Sequence, residues 1–274
     1  VGSEMCIRDS PNDATYGGNT DNKYTQQYGK QQGKYYVPQR ASAGLDPWAT
    51  PQAYDNAKDF FDTGITWSNS LNVAQMLEKS SYSISLGNTH QDGIISSTGM
   101  DRYNVKVSAD TKLTSNWSSG FTANYITTSI DKAVTSGNGL LRTVYAAPPS
   151  YDLAGIPSHV DGNPYTQNSF RGSFDNAYWA MENNKFTEDT NRFFGNVYTS
   201  YQTDFGTTNH KLNAKYMVGV DAYTTHYVDS YGYGSNTGGG RGQIENYGWT
   251  NATYNSLLTI NYDWHINEDW GLNA

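Results

Sequence analysis

Ser81-Tyr82-Ser83-Ile84-Ser85-Leu86 alternates serine with larger, mostly apolar side chains without a slip. The alternation returns in Tyr103-Asn104-Val105-Lys106-Val107-Ser108 and in Phe121-Thr122-Ala123-Asn124-Tyr125-Ile126. Successive side chains of a strand point to opposite faces, so each run carries one apolar and one polar face. Two settings suit such strands: a sheet covering a soluble core, or a membrane barrel with lipid outside and water inside.

The connectors decide between them. Reading outward from Ser81, strands are predicted at about 67–76, 80–88, 101–110, 116–128, 191–203, 209–224, 250–264 and from 269 onward. About three residues follow Met76, and about a dozen run from Asn88 to Met100. About five follow Asp110, and some sixty fill 129–190. About five follow Thr203, about two dozen run from Thr225 to Trp249, and about four follow Trp264. Short and long connectors alternate, as they do when all turns lie at one end of an up-and-down sheet and all long loops at the other. A soluble meander has no reason to sort its loops by parity, and a structureless loop of sixty residues is unusual in a compact domain. The expected fold is therefore all-β: an antiparallel up-and-down transmembrane β-barrel segment with long extracellular loops.

On this reading the lipid face carries Leu71, Val73, Tyr82, Ile84, Leu86, Tyr103, Val105, Val107, Phe121, Ala123 and Tyr125. It continues through Leu212, Ala214, Tyr216, Val218 and Val220 to Tyr254, Leu258, Ile260, Tyr262 and Trp264. Lys106, Lys211 and Lys215 fall on the wet face, where a charge avoids the ~2–4 kcal/mol that a lysine costs at mid-bilayer. The run 191–203 does not sort, because Phe193, Val197 and Tyr201 compete with Phe194 and Tyr198. Trp67, Trp117 and Trp264 stand near strand ends, where an aromatic girdle belongs.

Composition agrees. The 274 residues allow one large or two ordinary domains, and only 36% are hydrophobic, with a mean hydropathy of -0.72. A soluble two-sheet core would be hard to fill from so polar a chain. Disorder would bring more charge than 16% and fewer aromatics than 23 tyrosines, nine phenylalanines and seven tryptophans. A net charge of -8 without a Lys/Arg cluster gives no footprint for nucleic acid. Cys6 is the sole cysteine, so neither a disulfide framework nor a thiolate metal cluster is expected.

Residues 1–10 (Val-Gly-Ser-Glu-Met-Cys-Ile-Arg-Asp-Ser) resemble translated sequencing-adapter read-through and show no signal-peptide features. They are set aside as an artefactual segment. Residues 11–64 read as a loop segment leading into the barrel: 11–51 shows no sustained period, and Tyr54–Gly64 suits a helical turn or two stopped by Gly64. Residues 65–274 read as part of a barrel, including the long extracellular loop 129–190.

No catalytic constellation is legible, so no enzyme and no cofactor are expected. Gly232–Gly242 is glycine-rich but lacks the Gly-Lys-Ser/Thr ending of a phosphate cradle, and reads as a flexible loop tip. His90, His159, His210, His226 and His265 never pair at ligand spacing, and Asp161-Gly162-Asn163 suits a plain turn. The loop aromatics Tyr145, Tyr151, Tyr165, Phe170, Phe174, Tyr178 and Trp179 are the candidate substrate contacts. Their faces could stack on sugar rings or hold peptide side chains, the alternative being that they pack the loop against its neighbours.

Several segments resemble one family. Asp59-Phe60-Phe61-Asp62-Thr63-Gly64 followed by Asn69-Ser70-Leu71-Asn72-Val73 resembles the entry to the barrel of SusC/RagA-type TonB-dependent transporters of Bacteroidetes. Ser83–Arg102, with Gln91, Gly93-Ile94 and Thr98-Gly99, is similar to that family's next hairpin, and Thr111-Lys112-Leu113-Thr114 to its periplasmic turn. Tyr178-Trp179, Asn183-Asn184 and Asn191-Arg192-Phe193-Phe194-Gly195-Asn196 resemble a further segment, although Ala177 replaces the usual proline. Gly219-Val220-Asp221 and Asn267-Glu268-Asp269 fit as well.

The resemblance covers about 55–274 and implies a barrel of about 22 strands, of which about eight lie here, in the cell outer membrane. It further implies TonB-driven import of an oligosaccharide or peptide, with a SusD-like surface lipoprotein and TonB as partners and outer-membrane lipid around the wall. The competing readings are a soluble β-sandwich that binds carbohydrate or acts as an adhesin, and a complete eight-stranded barrel.

Overall fold

The structure, a computed structural model, describes residues 16–134, 139–206, 209–266 and 270–274. The adapter-like residues 1–10 and the Asn267-Glu268-Asp269 match lie outside them. Eight strands form one sheet: β3 (Ile65–Met76), β4 (Ser80–Asp92), β5 (Gly99–Lys112), β6 (Trp117–Lys132), β9 (Lys185–Thr203), β10 (His210–Tyr231), β11 (Gln243–His265) and β12 (Gly271–Asn273). Every neighbouring pair is antiparallel and follows chain order, an up-and-down meander. β3 and β12 do not pair with each other, so this is a stretch of barrel wall and not a closed eight-stranded barrel. Nor is it a sandwich. The other sheets among the described residues have two strands each, too few to cover the wall.

The register runs unbroken from β3 to β11, so the two faces can be followed across the sheet. One outward row is Val73–Ile84–Val107–Ala123–Gly195–Val220–Tyr254. Two residues nearer the long loops lies Leu71–Leu86–Val105–Tyr125–Phe193–Ala222–Ala252. Leu71, Val73, Ile84 and Leu86 are 44–59% exposed, with no second layer over them. The inward row between these two is Asn72–Ser85–Lys106–Asn124–Phe194–Asp221–Thr253, polar but for one ring.

β9 resolves its own ambiguity through polar partners. Phe193, Val197 and Tyr201 face outward with the apolar rows. The inward Tyr198 donates its hydroxyl to Asp110 and lies under Lys215, whose Nζ is 4.3 Å from the ring centroid. The inward Phe194 carries the Arg192 guanidinium 5.0 Å from its centroid, and Arg192 Nε donates to Asp221 Oδ1 at 2.8 Å. Aromatics on the wet side are tolerable because cations and a carboxylate engage them.

The apolar band does not follow the hydrogen-bonded rows. Its midpoint lies near residue 72 on β3 and near 259 on β11, although the row through Val73 reaches β11 at Tyr254. The band thus drifts by six residues over six strand steps. One residue of rise, ~3.3 Å, per strand spacing of ~4.8 Å is a tilt of about 35°, within the range that barrel closure demands. At the short-turn end Trp117 and Tyr201 meet edge to face at 5.7 Å, and Trp264 stacks on His210 at 5.6 Å.

The strands run further toward the long loops than the sequence indicated. The expected loops 88–100, 129–190 and 225–249 shrink to 93–98, 133–184 and 232–242, since β4, β5, β6, β9, β10 and β11 continue past the band. At 23 residues β11 is roughly 75 Å long, about twice the hydrocarbon thickness even when tilted. The cause is legible in the rows. Above Leu71–Leu86 the outward row becomes Asn69–Asn88–Tyr103–Thr127–Asn191–Thr224–Thr250, so both faces are polar and the apolar alternation disappears although pairing continues.

The segment before the wall carries short elements: α1 (Lys23–Tyr28), β1 (Tyr35–Tyr36), α2 (Pro38–Ser42), β2 (Trp48–Ala49) and α3 (Asn56–Phe60). The absence of a sustained period concealed them because none exceeds six residues. Between β6 and β9 come α4 (Leu140–Ala146), β7 (His159–Val160), β8 (Asn163–Gln167) and α5 (Ala177–Asn183). No helix among the described residues is long and apolar enough to cross a membrane, which says nothing about crossing by strands.

This geometry makes the two faces energetically unequal. Ile84→Arg is expected to destabilise the wall by about 2–4 kcal/mol and Ser83→Arg by under ~1 kcal/mol, by equilibrium unfolding from lipid vesicles. Equal costs would contradict the face assignment.

Candidate functional site: the cap and the inner wall

The residues before β3 and those between β6 and β9 pack into a cap at the long-loop end. Its core is Tyr35, Val37, Phe60, Leu140, Val144, Tyr151, Leu153, Ile156, Ala177, Trp179 and Ala180, all nearly closed to solvent. These are most of the buried apolar side chains among the described residues, drawn from segments that look like loop in sequence. The loop read as sixty structureless residues is therefore folded, with Asp161-Gly162-Asn163 as the hairpin turn between β7 and β8.

Motif segments far apart in sequence meet here. Asp55 caps α3 by accepting from the Lys58 amide at 3.2 Å, which places Phe60 inside the core. Phe60 meets Tyr178 edge to face at 5.3 Å, and the Tyr178 hydroxyl donates to the Asp59 carbonyl at 3.3 Å. Asn184 Oδ1 accepts the Gly232 amide at 2.8 Å, tying the start of β9 to the β10–β11 connector. These residues assemble the cap.

Asp175 is its polar centre. This buried carboxylate accepts from Gln167 Nε2 at 2.7 Å, the Asn236 amide at 2.7 Å and Asn236 Nδ2 at 2.9 Å on Oδ1, and from Ser235 Oγ at 2.6 Å on Oδ2. Thr143 Oγ1 donates to its carbonyl at 2.7 Å, and Gln167 Oε1 accepts the Asn176 amide at 2.7 Å. A buried charge must be fully hydrogen-bonded to be tolerated, and four donors from two separate segments, Gln167 and the Ser235-Asn236 connector, meet that demand. The connector 232–242 is consequently no free loop tip, since Ser235 is completely enclosed. Gly234 has φ +100°, and a Cβ there would lie 2.0 Å from the Tyr165 carbonyl oxygen, so only glycine lets this connector dock.

The candidate aromatics divide. Trp179 is 0% exposed, with Nε1 donating to the Pro164 carbonyl at 2.9 Å, and Tyr151 is 5% exposed against Phe170 at 4.8 Å. Both have the packing role, because their ring faces are covered on all sides, and substrate contact does not suit them. Phe174 is closed off beneath Arg142, 4.4 Å away. Phe170 and Tyr178 are partly buried against the core, where burial raises the Tyr178 phenol pKa and Asp59 adds to it. Tyr145 and Tyr165 remain open to solvent.

Tyr165 opens onto a groove. It meets Tyr233 edge to face at 6.3 Å, and with Gln39, Gln167, Asn168 and Asn236 the pair lines an open space of about 600 Å³. No charged side chain lines it. The amides are held by the Asp175 network and by Asn168, which donates to the Gln39 and Pro157 carbonyls at 2.7 and 3.1 Å. Two exposed rings above rigid amides suit a neutral polar ligand with a flat apolar side. Tyr233 was missed because it lies in a connector read only for its glycines.

No group of His, Cys, Asp or Glu suited to a metal ion occurs among the described residues. No protein-family model matches the sequence, and no curated protein matches it either. Among solved structures the chain is similar to a chain of the RagAB peptide importer in its "closed-closed" state. The TM-score is 0.63 over 79% of this chain, at 16% identity. The match covers 24% of the importer chain, so this chain spans about a quarter of that relative's length. Asp175→Ala should release the 232–242 connector, seen as at least tenfold faster amide exchange there with the wall unchanged. Unchanged exchange would remove Asp175 from its role. The resemblance at this identity is one of fold: an up-and-down antiparallel wall like that of the importer chain.

Proposed function

We propose that this chain forms part of the wall and the extracellular cap of an outer-membrane transporter that imports a bulky nutrient, an oligosaccharide or a peptide. The observation that carries the reading is the lopsided build of the strands. A tilted apolar band occupies their lower part, and above it the wall is polar on both faces and ends in a folded cap. A bilayer accounts for the band, and a watery exterior accounts for the polar rows beyond it. The likeness to an importer chain supports the same assignment.

Import of this kind is active, driven through TonB from the periplasmic side, and its work is transport without catalysis. In a bilayer the open edges of β3 and β12 are paired by further strands, because unpaired backbone groups are intolerable in hydrocarbon. The cap faces outward, and a SusD-like surface lipoprotein is its partner, the arrangement that the family resemblance implies.

Impermeant maleimide labelling of intact cells tests this orientation. Thr237→Cys, in the β10–β11 connector, should label at once, whereas Ser115→Cys, in the β5–β6 turn, should label only after the outer membrane is permeabilised. Equal labelling of both, or the reverse order, would sink the proposal.

A further inference from the structure

Tyr227, Tyr247 and Trp249 stand together on the inner face of β10 and β11, above the apolar band. Tyr227 and Tyr247 are direct cross-strand partners with rings stacked at 5.0 Å and 9°. Trp249 lies 5.2 Å from Tyr227 at 37°. Tyr247 is 43% and Trp249 52% exposed, so the trio presents an open aromatic shelf on an otherwise polar wall. Such a surface is costly in water unless something comes to cover it.

The surroundings define what that is. Lys132 Nζ sits 4.5 Å over the Tyr227 ring and 3.2 Å from Glu188 Oε2. The Tyr247 hydroxyl donates to Asp229 Oδ2 at 3.0 Å, and the neighbouring Arg192 is held by Asp221. Lys132 and Arg192 are thus paired with Glu188 and Asp221, while Asp229 and Glu245, cross-strand partners at the shelf's upper rim, accept from Tyr247 and Gln243 and keep further oxygen lone pairs for ligand hydroxyls. The next inward pair toward the band, Tyr223 and Asn251, offers a hydroxyl and an amide at the shelf's lower rim. A flat apolar surface with neutral hydrogen-bonding groups at its edge matches a sugar ring, whose C–H face is apolar and whose hydroxyls project sideways.

We infer that the Tyr227–Tyr247–Trp249 shelf is a binding step for a neutral saccharide on its way down the inner wall. This rests on the transport reading and adds to it a ligand class and a place. A peptide could also lay an aromatic side chain on the shelf, but its carboxylates would meet Asp229 and Glu245 and find Lys132 and Arg192 already paired.

The test uses the membrane-inserted protein in native outer-membrane vesicles, with maltoheptaose, cellohexaose, mannohexaose, xylohexaose and a casein digest as probes. At least one glycan should bind. Trp249→Ala and Tyr247→Ala should each weaken it about tenfold, and Trp249→Phe should stay within about twofold, with the heat-modifiable gel shift of the folded barrel retained in all three. Glycan affinity unmoved by both alanine variants, or binding by casein peptides alone, or by no probe, overturns the inference. Labelling of Thr237 and Ser115 is read separately, so a protein that labels as expected while failing here loses the shelf and keeps the transport reading.

Discussion

The backbone ladder from β3 to β11 runs without a register shift, and the rest of the structure depends on that continuity. Side chains alternate with period 2, so one extra residue in any strand would exchange the faces of everything beyond it. Because none is inserted, Val73 on β3 and Tyr254 on β11 share a face across seven strands. Lys106, Arg192 and Lys215 share the other. The drift of the apolar band across this ladder is independent of the pairing itself. It is a property of where apolar side chains were placed on each strand, and it corresponds to the tilt of a barrel wall.

The cap solves a different problem. A wall one layer thick offers almost no interior, so most buried apolar side chains among the described residues gather in the cap, where segments separated by more than a hundred residues pack together. Phe60 and Tyr178 supply an apolar contact, while Asp175 supplies the polar one by gathering the β10–β11 connector and the β7–β8 hairpin. Fixing the connector at Ser235 positions Tyr233 beside Tyr165, so the carboxylate that organises the cap also shapes its groove.

Strands were legible where one face is apolar and the other polar, as in Ser81–Leu86. They became illegible above the band, where Asn88, Asn191 and Thr224 face outward and the alternation carries no apolar signal. Tyr227, Tyr247 and Trp249 were therefore read as loop residues, although Trp249 and Tyr247 keep the strand's period of two. In β9 the signal failed for another reason: Phe194 and Tyr198 are aromatic on the wet face, the first covered by Arg192, which Asp221 of β10 holds in place, and the second engaged by Asp110 and Lys215 of other strands. Within the cap, nothing local separates the enclosed Trp179 from the open Tyr165. Burial there is decided by contacts with residues such as Phe60, which no spacing rule brings together.

The central claim is that the apolar band crosses the hydrogen-bonded rows at a slant because the wall is tilted in a bilayer. A nitroxide scan of outward positions, comparing collisions with oxygen and with a water-soluble nickel complex, reads bilayer depth residue by residue. The account predicts deepest positions near residue 72 on β3, 121 on β6, 216 on β10 and 259 on β11, a steady drift of about one residue per strand. Deepest positions that all fall on the single row from Val73 to Tyr254, or nitroxides that report water on both faces throughout, would contradict it.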